Sequence, residues 1–313
     1  MPEQLRILLI GVTTLDLHVQ NFCMPAVDDS SYLNNYRFTP GGSGLNMVFS
    51  LAHLGAGVTF CTRVGKDFPG AFVREFMERL DMRLIAIESD STTPFSIISI
   101  ADDGRIGIAH FEGANDEITP GDVPFSEITQ HEVLHIGGAL SMNALDGEPL
   151  TGLLKQAKGL GKTVSLHTSR KTSRKDLLLQ SLPYLDYLFM NALESNEITG
   201  RREISEAACW LHDYGVQTVA ITLGPDGAFI SSDDFTGRIA AETVAAVDSS
   251  GCGDAFTAGF IAGVSRNLHI RECAVWGNVV GGICAQSRGP LPQPFTLATV
   301  QSLAAKSLTK QQA

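Results

Sequence analysis

The apolar positions of the chain fall into short continuous runs separated by stripes of helical period. Residues 5–11 are largely apolar and close on Gly11, the pattern of a strand buried on both faces of a parallel sheet. Residues 163–166, 184–190 and 217–223 repeat it, and Val133-Leu134-His135-Ile136 enters the pair Gly137-Gly138 in the same way. Between these runs lie helical stripes: Leu45, Val48, Leu51 and Ala52; Phe68, Phe72, Val73, Phe76, Met77 and Leu80; Ala207, Ala208, Leu211 and Tyr214; and Ala255, Phe256, Ala258, Phe260, Ile261 and Val264. The aromatics of the stripe beginning at Phe68 are expected in the core. Strand and helix alternate throughout, which predicts an α/β fold with a doubly wound, mostly parallel sheet flanked by helices. Two stretches depart from that rhythm. Residues 17–39 are mixed and partly alternating, and residues 93–112 alternate about Asp102-Asp103-Gly104 as a hairpin does, so the two together predict a small β-sheet lid outside the main sheet. No linker, low-complexity tract or internal repeat appears. Residues 1–313 are therefore expected to form a single domain, although that length also accommodates two.

Composition changes the picture by exclusion. Hydrophobic residues make up 44% and charged residues 18%, as in a folded globular chain. The net charge of −11 and a pI near 5.1 remove nucleic-acid and anionic-membrane partners, which require a basic field, so any phosphate binding must be local. The six cysteines, at 23, 61, 209, 252, 273 and 284, form no C-x-x-C pair or regular framework, and reduced thiols are expected. The first residues lack a basic segment followed by a long apolar core, and no apolar run reaches the length of a membrane span. A cytoplasmic location is expected.

The chemistry concentrates in residues 246–259, Ala-Val-Asp-Ser-Ser-Gly-Cys-Gly-Asp-Ala-Phe-Thr-Ala-Gly, a glycine loop feeding a helix. At such a helix start the N–H groups of Gly251, Cys252 and Gly253 lack intrahelical acceptors, and the helix dipole adds positive potential, so the turn attracts an anion such as phosphate. Asp254 has two readings: a carboxylate that complements the dipole, or a base that takes the proton of a hydroxyl attacking the bound phosphate. Glycines on both sides of Cys252 favour the second, because a cap alone does not need backbone opened to a bulky guest. Other motifs fail on context. Gly11 is followed by Val-Thr-Thr-Leu-Asp rather than Gly-x-Gly-x-x-Gly, against dinucleotide binding. His131-Glu132-Val133-Leu134-His135 matches a zinc-protease pattern, but on a strand its histidines stand ~13 Å apart at ~3.3 Å per residue, too far to share a metal. Asp16 comes just after the first strand, at the edge where open sheets bind ligands; the other reading is a solvated loop carboxylate.

Residues 248–254, Asp-Ser-Ser-Gly-Cys-Gly-Asp, resemble the C-terminal signature of the phosphofructokinase B (ribokinase-like) carbohydrate and nucleoside kinases, with Cys252 where that family usually has alanine. Pro40-Gly41-Gly42-Ser43-Gly44-Leu45-Asn46, followed by Leu54-Gly55-Ala56-Gly57-Val58 and Arg63-Val64-Gly65-Lys66-Asp67, resembles the N-terminal signature. Gly113-Ala114-Asn115 and Ile118-Thr119-Pro120 resemble the segment that succeeds the lid strands in that family. The resemblance implies a ribokinase-like fold and transfer of the γ-phosphoryl group of ATP to a hydroxyl of a sugar or sugar-like acceptor, with Asp254 as base and Gly251, Cys252 and Gly253 as anion hole. It implies acceptor binding at Asp16, Gly41, Gly42, Ser43 and Asn46. ATP is implied at Asn191, at Thr222, Gly224 and Gly227 of Thr-Leu-Gly-Pro-Asp-Gly, and at Asn278. It further implies Mg²⁺ organised by Glu194, leaves open K⁺ beside Asp248, and is compatible with a homodimer through the lid. Read on residues alone, Asn191 to Glu194 is also helix-start polarity, and residues 222–227 an ordinary turn.

Three departures point away from ribose itself. Ser43 replaces the usual lysine, residues 139–143 offer no counterpart to a sugar-binding glutamate, and His167-Thr168-Ser169-Arg170 replaces Asp-Pro-Asn-x-Arg, with Arg170 as the corresponding arginine. A nucleoside acceptor, its base against Phe38, Phe95 or Ile108, is the alternative substrate. An alternative of another class is a relative that binds ligand without turnover, which has no need of Asp254.

Overall fold

The run Ile7–Gly11 forms strand β1 in the interior of a nine-stranded sheet in the computed structural model, which describes residues 6–33, 35–101, 106–169 and 172–312. The other strands of this sheet are β4 (Val58–Gly65), β5 (Arg83–Ser89), β8 (Val133–Ala139), β9 (Thr163–Thr168), β10 (Tyr187–Asn191), β11 (Thr218–Thr222), β12 (Ala228–Ser231) and β13 (Thr236–Ile239). Their order is β13-β12-β11-β10-β9-β8-β1-β4-β5. Every pair from β11 to β5 is parallel, and the β11-β12-β13 edge is antiparallel. The order reverses beside β1, with β4 on one side and β8 on the other, and open sheets bind ligands at the C-terminal ends of strands at such a switch point.

Alternation along β1 feeds two cores. Ile7 and Leu9 pack with Leu45, Leu51, Phe256 and Phe260 on one face, whereas Leu8 and Ile10 pack with Leu150, Leu154 and Leu211 on the other. All four β1 side chains are fully buried, each contributing roughly 1.5–3 kcal/mol. The first face is covered by helices α1 (Ser43–His53), α8 (Cys252–Val264), α9 (Ile270–Ala285) and α10 (Leu297–Gln312). The second is covered by α4 (Glu148–Gly159) and α7 (Ile204–Asp213), with the shorter α3 (Phe125–Gln130), α5 (Asp176–Leu179) and α6 (Ala192–Thr199) adding Ile128, Leu178 and Ile198. The strand start predicted near Tyr184 falls later: residues Leu182–Tyr184 form a 3-10 turn, and β10 begins at Tyr187.

The second sheet is the expected lid. It has four strands in the order β3-β2-β6-β7, from β2 (Thr14–Gln20), β3 (Tyr36–Gly41), β6 (Phe95–Ile100) and β7 (Ile106–Phe111). The expected turn Asp102-Asp103-Gly104 lies outside the described residues. Asp16 belongs to β2, is 5% exposed and pairs across to Thr39 and Ser96, against the alternative of a solvated loop carboxylate.

Helix α2 (Phe68–Met77) corrects the expected core. Phe68 and Phe72 are exposed, and the buried side is Gly70, Val73 and Met77. An i+4 repeat advances about 40° per step at 3.6 residues per turn, so a stripe of period four winds off the face that docks. The His131 to His135 motif is split between two elements, with only its second histidine on the expected strand. His135 sits in β8 with Nδ1 2.8 Å from the Ser165 hydroxyl, while His131 precedes the strand and pairs with the Glu127 carbonyl and the Thr59 hydroxyl. Among the described residues no group of three or more His, Cys, Asp or Glu is arranged to hold a metal ion, and no helix is long and apolar enough to cross a membrane.

Candidate active site

Three glycines bring the start of α1 to the switch point. A Cβ on Gly11 would lie 2.9 Å from Gly44 Cα and 2.6 Å from the Gly137 carbonyl oxygen, so β1, β8 and α1 approach each other backbone to backbone. Gly42 enters α1 at φ 91°, where an L side chain is strained and would also strike the Val12 carbonyl. Ser43 and Asn46 on the first turns of α1 thereby face the start of α8.

Helix α8 begins behind Gly251, which holds φ 72° against Pro290. The amide of Cys252 is already committed to the Ser249 carbonyl at 3.3 Å, which corrects its expected place among the free donors. The amides of Gly253 and Asp254 have no acceptor within the helix and remain with the positive end of its dipole. Asp254 stands in this turn at 9% exposure. The Ser43 hydroxyl donates to its Oδ1 at 2.5 Å, the Asn46 amide donates to its Oδ2 at 2.8 Å, and His167 Nδ1 lies 3.1 Å from Oδ1. Asn46 Oδ1 is buried with no partner among the described residues. His167 ends β9, and sequence reasoning marks it as a departure without assigning it to the site; its place at the C-terminal end of a strand beside the switch point is the available signal. Burial pushes the His167 imidazole down, but the Asp254 bond and the negative charges of Asp254 and Glu194 outweigh it and hold its pKa above the ordinary histidine value. His135 on the neighbouring strand is held far below that value by burial and by His167.

Asp248 lies at the head of the loop. Its Oδ1 accepts the Ser250 amide at 2.8 Å and its Oδ2 the Gly289 amide at 2.9 Å. Burial raises this carboxyl, and the amide donors with the nearby His18 more than reverse the effect, leaving it below the ordinary aspartate range. The lid closes over this loop: a Cβ on Gly289 would lie 2.9 Å from the Arg37 guanidinium of β3 and 3.8 Å from His18 of β2. Asp16 accepts the Thr14 hydroxyl at 2.7 Å, and burial pushes its carboxyl above the ordinary value despite the Thr14 and Ser96 hydroxyls. Gly41 is indispensable to that placement, since a Cβ there would sit 2.0 Å from Asp16 Oδ2.

The remaining expected residues divide. Asn191, Thr222 and Gly224 line one open cavity of about 440 Å³ with Leu193, Asp226 and Arg238. Glu194 stands in the first turn of α6, where Asn191 Oδ1 accepts its amide and its Oε2 accepts the Asn191 amide and the Thr168 hydroxyl, a reciprocal cap. Gly227 is not on that cavity; at φ 91° it lets the β11-β12 turn pass the Ile239 carbonyl. Asn278 spends its amide on the carbonyls of Ile239 and Ala240, tying α9 to the end of β13. Arg170 lies outside the described residues.

A helix start open to an anion, a carboxylate held by three side chains in its first turn, and a β lid reaching the neighbouring Gly289 are the features that a phosphotransferase site requires. A family model described as pfkB family carbohydrate kinase matches residues 5–294, and the chain belongs to that family of carbohydrate kinases. It is similar to a cytidine kinase of Thermococcus kodakarensis, 29% identical over 259 residues that cover 80% of this chain and 90% of the relative. It is similar also to a nucleoside kinase of Methanothermobacter thermautotrophicus, 26% identical over 297 residues and 92% of each chain. A ribokinase of Haemophilus influenzae is 29% identical over 267 residues, 82% of this chain and 84% of the relative. The fold matches the crystal structure of Thermotoga maritima ribokinase with a TM-score of 0.83 at 21% identity, covering 96% of this chain and 99% of that one.

Proposed function

We propose that the chain is an ATP-dependent kinase that phosphorylates a hydroxyl of a sugar or nucleoside, with Asp254 as the base and the start of α8 as the anion hole. The observation that carries this reading is the fixing of Asp254 by Ser43, Asn46 and His167 beside unspent helix amides. The acceptor oxygen forms the new O–P bond as the bond from the γ-phosphorus to the bridging oxygen breaks and its electron pair leaves with ADP. The hydroxyl proton passes to Asp254, while the amides of Gly253 and Asp254 face the charge on the transferred group. Acceptor hydroxyls fall to Asp16 and to the unpartnered Asn46 Oδ1, and the nucleotide to the cavity of Asn191, Thr222 and Gly224. Mg²⁺ arriving with ATP offsets charge on the phosphates; Glu194, with Oε2 committed to Thr168 and Asn191, is suited to act on it through water. Asp248 is the corresponding candidate beside K⁺.

The named relatives and the lid support a nucleoside as acceptor: Phe38 and Ile108 are each more than two-fifths exposed on the lid, whereas Phe95 is packed against the first core cluster. ADP formation from magnesium-ATP with a panel of pentoses, hexoses and nucleosides tests the proposal. Formation that depends on one acceptor class is expected. Binding of ATP and acceptor without any ADP would instead identify a ligand-binding protein.

A further inference from the structure

His167 is not explained by holding Asp254 alone. The single proton of the Ser43 hydroxyl goes to Asp254 Oδ1 at 2.5 Å, yet the same hydroxyl oxygen is 3.1 Å from His167 Nδ1, and Asp254 Oδ1 is also 3.1 Å from that nitrogen. Two acceptors therefore face Nδ1, which must carry a proton and donate to both. That choice leaves Nε2 as the atom whose protonation varies. Nε2 points at the first turn of α8, 3.8 Å from the place a Cβ on Gly253 would occupy, and no described residue is hydrogen-bonded to it. A neutral imidazole would turn a lone pair toward an anion in that turn, and an imidazolium would turn an N–H toward it.

We infer that His167 is a catalytic residue of this kinase in its imidazolium form, its Nδ1–H holding Asp254 and its Nε2–H donating to the phosphoryl group as it is transferred. The inference rests on the proposed roles of Asp254 and the α8 turn. No bond to His167 forms or breaks; its work is to place a cation where negative charge sits in the transition state, in a chain that has serine at position 43. The charged surroundings favour that form. Asp254 on α8 and Glu194 on α6 are negative and face it, His135 on β8 is the facing group of like sign among the described residues and is held neutral by burial, and β10 presents Phe189 in register with it.

Turnover should accordingly fall on the alkaline side as His167 loses its proton, a limb that a purely structural histidine would not produce. His167→Gln, which still offers a donor to Asp254, should lower kcat by roughly 10²-fold at neutral pH and abolish the limb, with KM for ATP and acceptor changed little. His167→Arg, charged throughout, should carry activity past the pH at which the natural chain loses it. A nitrogen-15 imidazole titration of the intact protein keeps the test open if a variant misfolds: the His167 pKa should rise further when magnesium and a non-hydrolysable ATP analogue are added. An unchanged or lowered value, or wild-type kcat and pH profile in His167→Gln, overturns the inference. Asp254→Asn separates the two levels: if it is inactive while His167→Gln is fully active, the base assignment stands and His167 has no part, and if it is fully active both readings fall together.

Discussion

At the residue scale, Asp16 and Gly41 form a unit that alignment of signatures treats as separate letters. A Cβ at position 41 would sit 2.0 Å from the Asp16 carboxylate, and burial already raises that carboxyl. A hydrogen bond to a charged partner contributes roughly 1.5–3 kcal/mol, so Asp16→Ala should weaken acceptor affinity by about tenfold or more and leave ATP affinity unchanged. Titrating both ligands against the variant checks this; equal losses for ATP and acceptor would place the acceptor elsewhere. The difference between legible and hidden residues is physical here. Gly41, Gly42, Ser43, Asn46 and Asp254 are candidates legible in the sequence because each stands in a short glycine motif at a helix start, and Asp16 because it follows the first strand at the sheet edge. His167 is not, because its partners Ser43 and Asp254 are 124 and 87 positions away and only the sheet topology brings them together.

At the element scale, the start of α6 shows two readings of one motif coexisting. Asn191 and Glu194 cap the helix reciprocally, as expected for helix-start polarity, and the same Glu194 is buried beside Thr168, where its charge acts on His167. Glutamine serves the cap as glutamate does, so Glu194→Gln should still fold yet need more magnesium for activity. An unaltered magnesium requirement would assign Glu194 to the helix alone. Strands β1, β8 and β9 are legible as apolar runs because parallel strands are buried on both faces. The buried side of α2 is not, since its aromatic stripe of period four drifts around a helix of 3.6 residues per turn and leaves Phe68 and Phe72 in solvent. What Asn278 contacts is hidden for a different reason: its amide closes the carbonyls at the end of β13, a contact set by packing of α9 that no local pattern encodes.

At the scale of the whole molecule, His135 within β8 and His167 near the end of β9 give stability opposite slopes with pH. His135 is held well below the ordinary value of 6.5, so the unfolded chain binds a proton that the folded chain refuses as pH drops below that value, and stability falls. His167 is raised, so its contribution is complete below 6.5 and is lost as pH climbs through its folded value. Asp248 adds an acid limb at lower pH, present above 3.8 and lost as pH falls through its depressed value. Urea midpoints measured across pH should therefore fall on both sides, and His167→Gln should remove the part of the alkaline decline that sets in just above 6.5 while keeping the acid one. A variant with both declines intact would contradict the placement of charge at this site.

The central claim is that Asp254 accepts the hydroxyl proton while the α8 turn holds the transferred group, and Asp254→Asn tests it most directly. The substitution keeps the shape of the side chain and leaves one oxygen to accept from Ser43 and His167, so the site should still assemble. Turnover with magnesium-ATP and acceptor, measured beside the affinity of each ligand by calorimetry, should drop by on the order of 10²- to 10⁴-fold with both affinities largely kept. Turnover close to that of the natural chain would contradict the account.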